Sequence, residues 1–310
     1  MSSRRGGRVL GTTLVLGALA LGLCVGCARE EGEGVRVVAS TSVLADICRN
    51  VAGRWARVTS LIPAAADPHG FQPTPGDLRS VAASDLIVLN GAGLEGALRD
   101  AMENAGLDAM VVEAARGLPA RTPGPDEVSF GEGADADPHY WLDPLLVVHY
   151  VRVIETALKT VDPAHAVAYA ANADRYVARL EELDRWIGET VAVVPERRRL
   201  LVTDHLAWGY FADRYGFRLI GAVMPSVTSG GSPTARDLSD LVARIRELGV
   251  PVIFVDAAES PTLAKQVAAE AGVRVVDTLR FHSLTGPKGP ASTYLTMMRF
   301  DVEQMVEALR

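Results

Sequence analysis

The 310-residue sequence predicts an α/β protein with two lobes, and three observations point there. Short β-branched runs alternate with amphipathic segments from about residue 35 onward, the rhythm of strands connected through helices. One stretch, Pro163 to about Val194, breaks the rhythm with a long helical pattern and divides the chain. Asp-Pro-His occurs twice, in "DPHGFQPTP" (67–75) and "DPHYWLDP" (137–144), each time running into an aromatic residue and a further proline.

The first segment stands apart from the fold. Arg4, Arg5 and Arg8 precede an apolar run from Val9 to about Val25, and small residues then lead to Cys27. This is the layout of an export signal over 1–26. Its end resembles a lipoprotein signal, with Val25-Gly26-Cys27 closing the lipobox and Cys27 as the acylated first mature residue; Cys24 departs from the aliphatic residue that pattern uses. An uncleaved single-span anchor or ordinary cleavage are the alternatives. Residues 27–34 then read as a tether to the membrane. Loss of three arginines makes the mature chain more acidic than the −7 of the whole sequence, a surface that repels nucleic acid and favours cations. Only Cys48 remains after processing, so no internal disulfide is available, and its spacing in "SVLADICRNVAG" is that of a buried helix residue.

The N-terminal lobe, 35–161, holds predicted strands at 35–39, 57–62, 85–89 and 110–113. Thr74-Pro75-Gly76-Asp77 supplies an N-cap, a proline at the first helical position and an acid in the first turn; Asp143-Pro144 and Ser232-Pro233 repeat the device. Residues 116–137 carry prolines, glycines and acids and predict a mobile loop. The linking helix, within 162–195, places Tyr169, Tyr176, Leu180, Leu183, Ile187 and Val191 on one face. At about 1.5 Å per residue it would span roughly 45 Å. The C-terminal lobe, 196–310, holds strands at 199–203, 218–223, 251–256 and 273–277, with a flexible connection at 225–234.

Of the six histidines, His149 and His165 fall within helices and read as surface or packing residues. His69 and His205 each follow a predicted strand and Asp277 ends one, the side of an open α/β sheet where ligands bind. Proline stiffens each Asp-Pro-His into a loop that presents an imidazole in a set direction, although a solvated histidine in a turn has the same sequence. His69, His139, His205 and Asp277 together would make a closed four-coordinate site, two ligands from each lobe, suited to Zn²⁺ without excluding Mn²⁺. Asp67, Asp137 and Asp204 stand beside the histidines either as orienters of the rings or as turn and capping residues. No short zinc motif of the HExxH or CxxC kind is present.

"DPHGFQPTPGDL", "DPHYWLDP", "TDHLAWGYFADRYGF" and "DTLRFHSLTGPKGPASTYLTMMRFDV" resemble, in order, the four metal-bearing segments of the zinc- and manganese-binding substrate-binding proteins of ABC transporters, the cluster A-I receptors. The resemblance runs from "VVASTSVLADICRNVAG" to the end. It implies two α/β lobes with mostly parallel sheets, joined by one long rigid linking helix, a single metal site in the interlobe cleft, and a monomer that docks on a membrane permease. It implies His69, His139, His205 and Asp277 as the ligands; no candidate general base sits in a recognisable catalytic motif, so the chain is not expected to be an enzyme. A histidine-rich loop of many zinc-specific relatives is here acidic, with Asp126, Glu127, Glu132, Asp135 and Asp137, either a weak cation collector or solvated filler. Several manganese-type relatives use glutamate as third ligand; His205 in that place tilts the expectation to zinc. The reading is therefore an exported, lipid-anchored receptor handing Zn²⁺, or Mn²⁺, to an importer. A surface adhesin or a zinc hydrolase are the rivals, the latter needing an open coordination position for water.

Overall fold

A computed structural model describes residues 34–64, 66–106, 109–121, 137–224 and 233–310. The export signal, Cys27, the acids at 126, 127, 132 and 135, and Ser232 lie outside the described residues. The first lobe runs β1 (Val35–Ala39), α1 (Ser42–Ala52), β2 (Ala56–Ser60), α2 (Pro75–Ala82), β3 (Leu86–Leu89), α3 (Gly96–Asn104), β4 (Met110–Glu113) and α4 (Pro144–Val161). After α5 (Ala166–Val191) come β5 (Leu200–Thr203), α6 (Gly209–Tyr215), β6 (Arg218–Ala222), α7 (Ala235–Leu248), β7 (Val252–Asp256), α8 (Thr262–Ala271), β8 (Arg274–Leu279) and α9 (Tyr294–Leu309).

The two sheets repeat one topology, β2-β1-β3-β4 and β6-β5-β7-β8, with every pairing parallel. Parallel strands need crossovers, and the helices between them supply those. The central strands β3, β5 and β7 are buried throughout, as their continuous apolar runs require. Local chemistry fixes the helix ends. Thr74 caps α2 through a reciprocal bond with Asp77, and the Asp143 side chain accepts the Leu145 N–H at the start of α4. Thr234, with Asp237, caps α7, so the expected Ser232-Pro233 start falls two residues early. Gly249 (φ 66°) and Gly272 (φ 77°) stop α7 and α8 in the left-handed conformation and turn the chain into β7 and β8.

The linking helix is shorter than its sequence pattern. Pro163–His165 form a single 3₁₀ turn, stacked through His165 on Trp55, and α5 proper has 26 residues, a length of roughly 39 Å. Its expected apolar face is buried, with Ala173 filling the gap between Tyr169 and Tyr176. That face joins residues of both lobes into one core: Leu44, Tyr150 and Ile154 from the first, Leu180, Leu183 and Ile187 from α5, Leu201, Phe254 and Met298 from the second. Separate clusters fill the far face of each sheet. Cys48 is buried in α1, as its spacing predicts. Among the described residues no helix is long and apolar enough to cross a membrane.

Because the core is shared, Leu183→Ala is expected to cost about 2–5 kcal/mol and to shift one common transition for both lobes. Urea unfolding followed by fluorescence and by far-UV circular dichroism would show coincident curves; two separated transitions would mean that the lobes fold independently.

Candidate metal centre

His69 follows β2, His139 precedes a 3₁₀ turn at Tyr140–Leu142, His205 follows β5, and His282 follows β8. Their ring nitrogens converge between the carboxyl edges of the two sheets, all four within 4.8 Å of one another. His139 is central: its Nε2 lies 3.2 Å from Nε2 of His69, 3.3 Å from that of His205 and 3.5 Å from that of His282. One ring nitrogen has a single proton or lone pair and cannot serve three partners. A cation at the centre resolves the conflict, since four nitrogens about 2.0–2.1 Å from a tetrahedral Zn²⁺ stand about 3.3–3.4 Å apart. His139 and His205 are fully buried, His282 is 4% exposed, and His69 is partly open to solvent.

Each histidine is held by an aspartate at its backbone. Asp67 accepts the N–H of His69 (3.0 Å) and Asp137 that of His139 (2.9 Å), so both Asp-Pro-His copies close the same small turn. Asp204 accepts the N–H of His205 (2.9 Å), and Asp256, the last residue of β7, accepts that of His282 (3.1 Å). Three of these carboxylates also face the ring: Asp137 is 2.8 Å from Nδ1 of His139, Asp204 is 3.3 Å from Nδ1 of His205, and Asp256 is 3.6 Å from Nδ1 of His282. Only the Asp137 contact is a hydrogen bond; it holds Nδ1 of His139 and leaves that ring's Nε2 free to donate its lone pair, while Asp204 and Asp256 act on their rings as nearby negative charge. Asp204 further accepts the N–H of Asp256 (3.0 Å), so the supports of His205 and His282 are joined.

Three of the four expected ligands therefore meet, and the fourth does not. Asp277 pairs with Lys265 of α8 at 2.9 Å, its side chain 37% exposed, and that bond holds its carboxyl below the usual range. The reason is strand length and parity. β8 continues to Leu279 rather than ending at 277, and Asp277 shares the face of Val275, which packs against the α7 and α8 side. The strand's carboxyl end, where a ligand belongs, comes two residues later and leads into His282. His282 stands after a strand as His205 does, and that position was the available signal. Asp256 gives no such signal, being 26 residues from the histidine it supports. Glu259 lies near the centre, its acidity weakened by burial and then by Asp67 and Asp204. His149 bonds the Arg116 carbonyl at 3.0 Å and His165 pairs with Asp162 at 2.7 Å, both packing roles as expected.

Burial lowers the pKa of His69 to about 4, with the charge of His205 adding to the effect, and holds His139 and His282 well below the ordinary histidine value. Burial also pulls His205 down, but the Asp204 carboxylate outweighs it and the net shift is upward. Asp137 and Asp256 are pushed up to about 7, chiefly by burial.

Residues 37–308 match the family described as ZnuA, zinc-uptake complex component A periplasmic. The chain belongs to this family. ZnuA-type proteins are components of an uptake complex rather than enzymes, in line with the expectation, and the rival hydrolase reading has no place among them. The manganese-binding lipoprotein MntA of Halalkalibacterium halodurans is 34% identical over 280 residues, 90% of each chain. The iron-binding protein YfeA of Yersinia pestis is 32% identical over 280 residues, 90% of this chain and 87% of that one. Among solved structures, the Mn-bound periplasmic metal binding protein of Candidatus Liberibacter asiaticus aligns with a TM-score of 0.78 at 27% identity, over 89% of this chain and all of that one. The periplasmic zinc binding protein TroA of Treponema pallidum, TM-score 0.81 at 24% identity over 89% and 99% of the two chains, shares the fold.

The titration pattern fixes the direction of a pH effect. At pH 6, His69, His139 and His282 are already neutral, whereas His205, Asp137 and Asp256 carry protons that a cation at the imidazoles expels. Metal binding is expected to release protons at pH 6, few at pH 8.5, and to weaken as pH falls through 7. Calorimetry in buffers of unlike ionisation enthalpy counts the protons, and Asp137→Asn should lower the count at pH 6.

Proposed function

We propose that this protein is an exported receptor that captures Zn²⁺ as cargo between its lobes and hands it to the membrane permease of an ABC importer. The observation that carries the metal choice is the donor set: four imidazole nitrogens converge with no carboxylate among them. Imidazole suits Zn²⁺ and its borderline neighbours, whereas Mn²⁺ favours oxygen donors. The negative charge that balances the cation sits one layer out, on Asp137, Asp204 and Asp256. Manganese is the alternative, and its support is the naming of relatives such as MntA. The donor set weighs against it.

A closed tetrahedron of four protein ligands leaves no position for an activated water, which fits carriage of an ion and not hydrolysis. The names of the relatives, lipoprotein and periplasmic, support export and a lipid anchor, for which Cys27 is the candidate. The lobe limits remain 35–161 and 196–310 around a linker of 162–195, and the receptor acts as a monomer.

The test is competition between Zn²⁺ and Mn²⁺ on the demetallated protein. Wild type should bind one Zn²⁺ and prefer it over Mn²⁺. His282→Ala should weaken Zn²⁺ by more than the about 10–100-fold typical of losing a group behind a ligand, while Asp277→Ala leaves it unchanged. His282→Asp, which restores an oxygen donor, should move the preference toward Mn²⁺. Manganese preference in the wild type, or a response to Asp277→Ala in place of His282→Ala, would refute the four-imidazole zinc site.

A further inference from the structure

His139, the nitrogen nearest the other three, is secured from both lobes. From its own lobe, the Asn90 side chain donates to the Pro138 carbonyl (2.9 Å) and is itself fixed by the Tyr150 hydroxyl (2.5 Å). From the other lobe comes Tyr210 of α6. Its hydroxyl donates to the Asp137 carbonyl (3.1 Å) and accepts the backbone N–H of Arg121 (3.2 Å). Its ring stacks on Tyr140, centroids 4.4 Å apart at 28°. Arg121, its side chain 2% exposed, forks onto Asp213 of the same helix at 2.8 and 2.9 Å. The guanidinium crosses directly over Gly209, where a Cβ would stand 2.7 Å from Arg121 Cδ and Nε.

The rest of α6 also reaches outward. Arg214 forks onto Asp184 of α5 at 2.5 and 2.7 Å and lies 3.4 Å from Asp143 at the start of α4; the Tyr215 hydroxyl donates to Asp184 at 2.8 Å. α6 begins four residues after His205, so the helix that follows one ligand grips the chain on either side of another.

We propose that Tyr210 is a positioning residue for the metal site, coupling the lobe that carries His205 to the placement of His139. The proposal rests on the metal-receptor reading. Tyr210 touches no ligand nitrogen; it acts through the main chain of Asp137, whose carboxylate takes the His139 N–H and faces its Nδ1. While α6 keeps this register, Asp137 is fixed from outside its own lobe and the His139 nitrogen stays within 3.2–3.5 Å of the other three. If α6 shifts, the Tyr210 bond is lost, Asp137 is released and the cation loses its central donor. Metal retention thereby depends on interlobe register, and displacing one short helix is enough to start release.

Tyr210→Phe removes the hydroxyl and keeps the stacked ring. In the full chain loaded with Co²⁺, whose visible bands report tetrahedral geometry, the variant should show altered band positions and intensity. Zn²⁺ release to a chelator should be about tenfold faster, the lower end of what a group behind a ligand supplies. The unfolding midpoint of the metal-free protein should stay near that of wild type. Asp213→Asn, at a half-exposed position, loosens the Arg121 fork and should change spectrum and rate in the same direction. Tyr215→Phe makes the same chemical change on the same helix but loses only the bond to α5, and should match wild type in both readouts. A wild-type spectrum and rate in Tyr210→Phe overturns the proposal, as does an equal effect from Tyr215→Phe, which would make any stitch between lobes equivalent. A wild-type chain that takes up neither Co²⁺ nor Zn²⁺ overturns the receptor reading itself, and does so before any variant is examined.

Discussion

Four imidazoles cannot share a buried pocket if they are charged, and the rest of the molecule depends on that constraint. Each additional proton would meet both the loss of water and the repulsion of its neighbours, and for that reason His69, His139 and His282 have depressed pKa values. Neutral rings alone would not stay together either, because three nitrogens compete for one partner on His139. The cluster is held from behind. Aspartates at 67, 137, 204 and 256 tie each histidine's main chain, and Asp137 also bonds the far side of the His139 ring. Those carboxylates are themselves placed at a cost: burial pushes Asp137 and Asp256 up to about 7. A divalent cation among the four nitrogens would satisfy all of their lone pairs at once.

The fold exists to bring the two halves of that arrangement within a few ångströms. Each sheet has its strand order reversing beside the first strand, and each contributes loops from its carboxyl edge. The lobes are joined by more than a linker. Trp141 donates to the Phe281 carbonyl at 2.7 Å, Tyr294 returns to the Trp141 carbonyl at 2.8 Å, and the Ser42 hydroxyl accepts the Leu284 N–H at 2.9 Å. Together with the core built on α5, these bonds make a wide hinge motion costly and favour small shifts of single elements such as α6.

Much of this was legible in the sequence. Eight strands, the buried face of α5 and the caps at Thr74 and Asp143 follow from local periodicity and turn chemistry, and local rules suffice for them. Three members of the histidine cluster were readable because each sits in a loop whose stiffness is written in adjacent residues. The fourth was not, because its assignment turned on where β8 ends, and a strand's last residues are set by its neighbours; Asp256 pairs with Leu279 across a register shift that no local pattern announces. The support of His282 by Asp256 and of Asp137 by Tyr210 are long-range facts, spanning 26 and 73 residues. Spacing in the chain carries no trace of them.

The way the aspartates grip the histidines has a consequence for how such proteins diversify. Each carboxylate bonds a main-chain N–H, a group that every residue except proline possesses. Loop shape is therefore decoupled from the identity of the side chain it presents. Histidine can be exchanged for an oxygen or sulfur donor at 69, 139, 205 or 282 without rewriting the turn that carries it, so the same scaffold can be retuned one donor at a time. Sequence relatives at 34% and 32% identity carry names for manganese and for iron, as a scaffold of that kind allows.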